Sequence, residues 1–256
     1  MKRVTFTNGR NKILVGHLHL SLSASIIIMC HGFTSDKSSR GRFDYLAQSF
    51  QQQGYNVLAF DFSGCGESDD DSLTLAKKVD DLKAAMMYVT SLGYNKIALF
   101  GHSLGARVCL EAFDSDLVTT MILTGAGTGP VRYNWNEHFS EPQLQELQKK
   151  GYLTDTPSSG TRKSIRIEKQ MLMDFENFDQ KHLLEKVTCP VLLIHGDTDW
   201  EEKMLAAITK KGMYHLSADS VLSIIPGATH SFNNHLSIVE ELAGKWLLKH
   251  FPLSSL

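Results

Sequence analysis

The chain has 256 residues, 42% of them hydrophobic, with a formal net charge of −2 and four cysteines. That length and apolar content suffice for one substantial core, and the near-neutral charge gives no electrostatic reason for nucleic acid or an anionic membrane as a partner. No stretch reaches the length of a bilayer span, and the basic start, Met1 to Phe6, lacks the apolar run of a signal peptide.

Val4 to Thr7 and Ile13 to Leu20, separated by Asn8-Gly9, predict an antiparallel hairpin at a sheet edge. Ile26-Ile27-Ile28-Met29-Cys30 is a continuous apolar run, the pattern of a strand buried on both faces in a parallel sheet, and it ends in His31-Gly32-Phe33. Phe43, Leu46 and Phe50 share a helical face, with Gly54 as the stop. Val57 to Phe60 is the next buried strand and runs into Asp61 and a loop holding Gly64 and Gly66. From Ser72 onward, Leu75, Val79, Leu82, Met86 and Val89 make one apolar stripe closed by Gly93, which predicts a helix packed on the sheet.

Ile97 to Phe100 is another β-forming run. It drives straight into Gly101-His102-Ser103-Leu104-Gly105, and small and apolar helix formers follow. A strand, Gly-x-Ser-x-Gly and a helix in that order denote a nucleophile elbow. So tight a turn strains the serine backbone, and side chains two residues to either side would collide with the neighbouring strand and helix. Ser103 is therefore the candidate nucleophile.

Met121-Ile122-Leu123 reads as the next strand, and the alternation so far implies a mostly parallel sheet with helices on both faces. Between Gly125 and Val187 the pattern changes. Tyr133, Trp135, Phe139, Tyr152, a Pro-Ser-Ser-Gly stretch at 157–160 and short charged amphipathic pieces replace it. An insertion that long, with aromatics enough to pack, predicts a lid over 126–186 within an otherwise single domain. The plainer reading is a helical excursion that stabilises the sheet edge. Val191 to Ile194 is a buried strand entering His195-Gly196-Asp197-Thr198-Asp199. Leu222 to Ile225 is a shorter strand followed by Gly227-Ala228-Thr229-His230. Ile238, Val239, Leu242, Trp246 and Leu247 predict a core-facing terminal helix.

The segments His-Gly-Phe (31–33), Asp61 to Ser68, Gly-His-Ser-Leu-Gly (101–105), His-Gly-Asp-Thr-Asp (195–199) and Gly-Ala-Thr-His (227–230) together resemble the α/β-hydrolases. The closest likeness is to the compact branch near feruloyl/cinnamoyl esterases and monoacylglycerol-lipase-like serine hydrolases. The resemblance implies an α/β-hydrolase fold, with Ser103 as nucleophile and His230 as base. It makes Asp199, the last residue of the Gly-x-x-Asp turn, the acid, with Asp197 as the alternate. The backbone N–H groups of Phe33 and Leu104 would form the oxyanion hole. His31, His102 and His235 read as packing or surface residues. Two positions depart from the pattern. Ser63 stands where relatives often carry arginine. Trp200-Glu201-Glu202-Lys203 stands where they carry a Val-Pro pair, a change that reshapes the pocket rim or moves the loop of the acid.

The implied activity is hydrolysis of carboxylic esters of small or medium acyl groups through an acyl-enzyme, with a small-molecule ester as partner and no cofactor or metal. Ser103 excludes relatives that use an aspartate (haloalkane dehalogenases, epoxide hydrolases) or a cysteine (dienelactone-type hydrolases). Three alternatives stay open: an aminopeptidase of the prolyl-aminopeptidase type, with Glu137, Glu141 and Glu146 gripping the substrate amine; an acyltransferase or thioesterase; and a non-catalytic ligand-binding protein. An intact serine, histidine and acid argue against the last. The scattered Cys30, Cys65, Cys109 and Cys189 read as buried free thiols in a reducing compartment, hence a cytoplasmic protein, and a homodimer is left open.

Overall fold

The computed structural model describes residues 1–157 and 160–253. The strands are β1 (Lys2–Thr7), β2 (Ile13–His19), β3 (Ile26–Cys30), β4 (Asn56–Phe60), β5 (Ser72–Leu73), β6 (Ile97–His102), β7 (Val118–Thr124), β8 (Tyr152–Asp155), β9 (Ile165–Glu168), β10 (Val191–Gly196) and β11 (Val221–Ile225). The helices are α1 (Arg42–Gln52), α2 (Leu75–Ser91), α3 (Leu104–Glu111), α4 (Trp135–His138), α5 (Glu141–Lys150), α6 (Lys169–Asp174), α7 (Gln180–Glu185), α8 (Trp200–Gly212) and α9 (Leu236–His250).

The main sheet has eight strands in the order β1-β2-β4-β3-β6-β7-β10-β11. Only β1–β2 and β2–β4 run antiparallel; β4, β3, β6, β7, β10 and β11 are parallel neighbours. The expected edge hairpin is therefore present. Successive strand side chains point to opposite faces, and the sequence exploits both. Ile26, Ile28 and Cys30 join the cluster under α2 and α3, while Ile27 and Met29 join the cluster under α1 and α9. A strand flanked on both faces cannot carry alternating polar residues, which is why β3, β4 and β6 are buried at every position.

Gly54 and Gly93 follow α1 and α2 with φ of 102° and 98°, the left-handed geometry expected of a helix stop. Helix α2 starts at Leu75, the first residue of its apolar stripe and three residues after the expected Ser72. Thr74 caps it by accepting from the Lys77 N–H at 3.2 Å, which frees Ser72-Leu73 to act as strand β5. In the terminal helix, Val239, Ala243, Trp246 and Leu247 face the core, whereas Ile238 is exposed.

Residues 126–186 leave the alternating pattern, as their composition predicted, but they are not purely helical. Strands β8 and β9 pair antiparallel, and β9 also pairs parallel with β5, so a second, three-stranded sheet is built partly from the preceding core loop. Leu153, Ile165, Ile167, Met171 and Leu172 carry this segment into the same apolar cluster as α2 and α3. Residues 158–159 of the Pro-Ser-Ser-Gly stretch lie outside the described residues. All four cysteines are buried and unpaired. Among the described residues, no helix is long and apolar enough to cross a membrane.

Candidate active site

The parallel strands all end on one side of the sheet, and the loops that follow β3, β6, β7, β10 and β11 meet there. After β6 the chain reverses at Ser103 with φ 55° and ψ −121°, and α3 begins one residue later. The flanking glycines are sterically required. A Cβ on Gly101 would lie 2.6 Å from the Ala106 Cα, and one on Gly105 would lie 2.0 Å from the Cys30 carbonyl oxygen. The strain is held in place by a hydrogen bond from the Ser103 N–H to the Thr124 carbonyl, 2.9 Å.

His230, on the loop after β11, places its Nε2 2.9 Å from Ser103 Oγ. Its Nδ1 lies 2.5 Å from Glu202 Oε1. Here the structure departs from the expected acid. Asp199 is the N-cap of α8; its Oδ1 accepts from the Glu202 N–H at 2.8 Å and its Oδ2 from the His230 main-chain N–H at 2.6 Å. The cap position commits that short carboxylate to backbone donors. Glu202, three residues on and one methylene longer, turns inward and reaches the imidazole. Asp197, the alternate, is further away and accepts from the Gly227 N–H at 2.7 Å.

Glu202 is fully buried, and its other oxygen, Oε2, accepts from His195 Nδ1 (3.0 Å) and the Gly196 N–H (2.7 Å). His195 Nε2 meets Thr209 Oγ1 at 3.0 Å, and that hydroxyl meets Thr128 Oγ1 at 2.9 Å. Burial alone would raise the Glu202 pKa, but the hydrogen bonds and charges of His195 and His230 outweigh it and hold the carboxyl at about 2. For His230 burial pulls the other way. It favours the neutral ring, yet the Glu202 hydrogen bond and the charges of Glu201, Glu202 and Asp199 leave the pKa raised. Gly125, at φ 57°, leaves room for this contact. A Cβ there would sit 2.9 Å from both His230 Nδ1 and Glu202 Oε1.

The remaining expected residues fall as follows. Leu104 opens α3, where first-turn N–H groups have no intrahelical partner. Gly32 packs against the nucleophile, with its ideal Cβ 3.4 Å from Ser103 Cβ, and Phe33 lines the same cavity as Ser103. Thr34 beside it has φ 54°, a left-handed conformation costly for a β-branched residue. His31 is buried under this loop, its Nδ1 2.9 Å from the Gly32 carbonyl and its Nε2 accepting from the Phe62 N–H at 3.2 Å. Burial lowers its pKa to about 3, so it packs as a neutral ring. His102 bonds Thr124 through Nδ1 at 3.0 Å, and burial likewise holds it neutral. His235 is the residue before α9. Ser63, in the position noted as a departure, accepts from Arg10 and donates to the buried Asp81.

Sequence reasoning missed Glu202, His195 and Arg42. Arg42 donates from Nη1 to the Ser231 carbonyl at 2.6 Å and from Nε to the Ser39 carbonyl at 2.9 Å, tying the residue after His230 to the start of α1. The one available signal for Glu202 was the Trp200-Glu201-Glu202-Lys203 departure.

Ser103 stands where two cavities meet. The inner one is a narrow slot of about 30 Å³ lined by Leu75, Leu104, Arg107, Val131, Met171 and Phe178, among others. The outer one, about 230 Å³, is walled by Phe33, Tyr133, Trp135, Phe139 and Phe175. Most of these residues belong to 126–186. Glu137, Glu141 and Glu146 line neither cavity; they bond Asn134, Gln145 and Lys150. Among the described residues, no group of three His, Cys, Asp or Glu side chains could hold a metal ion.

A doubly covered parallel sheet, a strained serine after its central strand and an imidazole in reach of both that serine and a carboxylate define the hydrolase class of α/β proteins. The chain belongs to the alpha/beta hydrolase family, which its sequence matches over residues 27–240. Its fold is similar to that of the Butyrivibrio proteoclasticus esterase Est1E, solved with ferulic acid bound (TM-score 0.74, 20% identity, covering 96% of this chain and 98% of that one). It is also similar to a thermophilic esterase from Thermogutta terrifontis solved with malate (TM-score 0.71, 19% identity, 98% and 100% covered). An esterase from Pyrococcus furiosus shares the fold as well (TM-score 0.75, 18% identity, 97% and 90% covered). No curated protein matches the sequence.

Proposed function

We propose that this protein is a serine hydrolase that cleaves carboxylic esters of small or medium acyl groups through an acyl-enzyme, with Glu202 as the acid of its triad. The observation that carries this reading is the unbroken hydrogen-bond chain Ser103 Oγ–His230–Glu202 at the junction of two cavities. Ser103 attacks the ester carbonyl while His230 Nε2 takes its proton. The Phe33 and Leu104 amides hold the developing oxyanion. The imidazolium gives the proton to the departing alcohol, and water then attacks the acyl-enzyme with His230 again as base. Glu202 keeps the ring in the tautomer with Nδ1 protonated and stabilises the imidazolium.

Two cavities suit the two halves of an ester, the narrow slot the acyl group and the aromatic chamber the alcohol. Residues 126–186 act in this reading as a lid that walls both. The esterase neighbours agree with ester chemistry on this fold. Four buried free thiols suit a reducing compartment, and we place the protein in the cytoplasm.

The test is labelling with a fluorophosphonate probe together with a p-nitrophenyl ester panel from acetate to laurate, including methyl ferulate and an aminoacyl anilide. Stoichiometric labelling at Ser103 and ester turnover abolished in Ser103→Ala and His230→Ala are expected. Folded protein that takes no label would favour a ligand-binding role, and turnover of the anilide alone would favour a peptidase.

A further inference from the structure

Two charged side chains, Arg107 and Asp174, line the inner slot. Arg107 lies one turn into α3 from Ser103 and is 6% exposed, yet it lines the cavity. Its guanidinium stacks on the Phe178 ring with Cζ 3.2 Å from the centroid. Its Nε and Nη2 both donate to Glu111 Oε1, at 3.1 and 2.5 Å. Glu111 in turn accepts from Lys186 at 2.7 Å. The third face of the guanidinium is different. Among the described residues no acceptor meets Nη1, and Nη1 is not among the side-chain atoms shut away from solvent. A buried, stacked and ion-paired arginine is fixed in place, so its unused N–H edge is a preformed donor on a residue that lines a mostly apolar slot, whose other polar side chains are Ser103, Tyr133 and Asp174.

We propose that Arg107 is a specificity-determining residue that selects short, unbranched acyl groups carrying a neutral hydrogen-bond acceptor, a ketone or equivalent carbonyl, a few carbons from the ester; this rests on the hydrolase reading above. The slot's volume of about 30 Å³ is that of roughly two water positions in file. Four residues of helix rise separate Ser103 from Arg107 by about 6 Å along the axis. A space of that volume calls for a chain of only a few carbons. The acceptor class follows from charge. Glu111 already balances Arg107, and the Asp174 carboxylate lines the same slot, so a carboxylate arriving there would face a like charge.

A substrate without the acceptor leaves Nη1 unpaired in an enclosed site, which is the situation that gives an enzyme its sharpest discrimination. The wild-type protein should hydrolyse p-nitrophenyl levulinate, or the next longer keto ester, at a kcat/KM about tenfold or more above the matching plain acyl ester. The p-nitrophenyl half-ester of glutarate should show no such advantage. In the double variant Arg107→Met with Glu111→Gln, which removes the guanidinium without stranding its partner's charge, the keto-to-plain ratio should fall to about one. Because this ratio is internal to each enzyme, it is insensitive to the amount of folded protein, and the wild-type ratio stands as a test even if the variant fails to fold. A wild-type ratio near one, or a ratio retained in the double variant, overturns the assignment to Arg107, and preference for the glutarate half-ester overturns the neutral class. These failures leave the hydrolase intact, since plain esters are still cleaved. No turnover of any ester and no probe label at Ser103 would remove both readings together.

Discussion

Glu202 gathers three donors on two oxygens: the His230 ring, the His195 ring and the Gly196 N–H. Its charge is therefore wanted at every pH where the fold persists, and the depressed pKa expresses that. The group contributes stability above its ordinary value of 4.5, and this is lost as pH falls toward about 2. Acid unfolding monitored by circular dichroism should therefore fall in that interval, and Glu202→Gln should flatten the pH dependence there. Catalysis distinguishes the two carboxylates. Glu202→Gln should lower kcat by about three to four orders of magnitude, since the wrong tautomer of His230 is then favoured. Asp199→Asn leaves the imidazole its partner and should cost about tenfold or less in kcat, with about 1 kcal/mol of stability because the amide has one acceptor oxygen for the two N–H groups the carboxylate serves. Equal losses in the two variants would undo the assignment. The raised pKa of His230 carries a second sign. In the proposed mechanism the neutral ring is the base, so kcat/KM should rise with pH through a limb above 6.5, and that limb should move to lower pH in Glu202→Gln. His195→Gln, which loses only the outer donor to Glu202, should move the same limb by a smaller amount. Ser103 and His230 were legible as residues because their motifs fix the backbone around them. The acid was not. Asp199 and Glu202 sit three apart at one helix start, and only the side-chain directions, unreadable in a linear string, decide which of them meets the ring.

Elements bring these side chains together by close backbone approach, and glycines mark where. Gly101 and Gly105 could be read as a strand–turn–helix junction because their spacing is local. Gly125, at the end of β7, could not be, since what it clears is a contact between β11's loop and α8, about eighty to a hundred residues downstream. Its φ of 57° is strained for any other residue, and an added methyl would push directly on the His230–Glu202 pair. Gly125→Ala should cost about 1–2 kcal/mol of stability by urea unfolding, within the usual range for a left-handed non-glycine residue. Its effect on kcat/KM should be larger, about a hundredfold, because a misplacement of the order of an ångström in a catalytic group is that expensive. A variant that loses stability but keeps full turnover would show that the pair can relax around the methyl. Strands β8 and β9 were hidden for a related reason. Each is four residues long, and the alternation Ile165, Ile167 is too short to separate from a helical turn. The second partner of β9, β5, lies some ninety residues earlier, just ahead of the apolar stripe of α2.

At the scale of the molecule, the question is how segment 126–186 moves if it acts as a lid. Its attachments argue against a swinging flap. Glu168 binds Lys77 and Ser72, Arg162 binds Asp70 and the Ser68 carbonyl, and the Asp174 carboxylate accepts from the Leu75 N–H, so three separate points fasten it to the loop before β5, to β5 and to the start of α2. Its apolar residues belong to the same cluster as the sheet face beneath α2 and α3 rather than to a core of their own. A segment without its own core cannot persist folded once that cluster opens, and the cluster cannot open on one side without exposing this segment. Ser103 is half-buried and lines the outer chamber walled by Tyr133, Trp135 and Phe175, so that chamber gives access to it with the segment in place. The expected consequence is one cooperative unfolding transition. Trp135 reports the covering segment in the near ultraviolet and Trp246 the core, where its Nε1 donates to Thr120 at 2.8 Å. With Trp200→Phe and Trp246→Phe leaving the half-buried Trp135 as the reporter of the segment, its urea transition should coincide with the far-ultraviolet one. An early transition seen only by Trp135 would instead mean that the segment folds and opens as a unit, and that substrate enters by that opening.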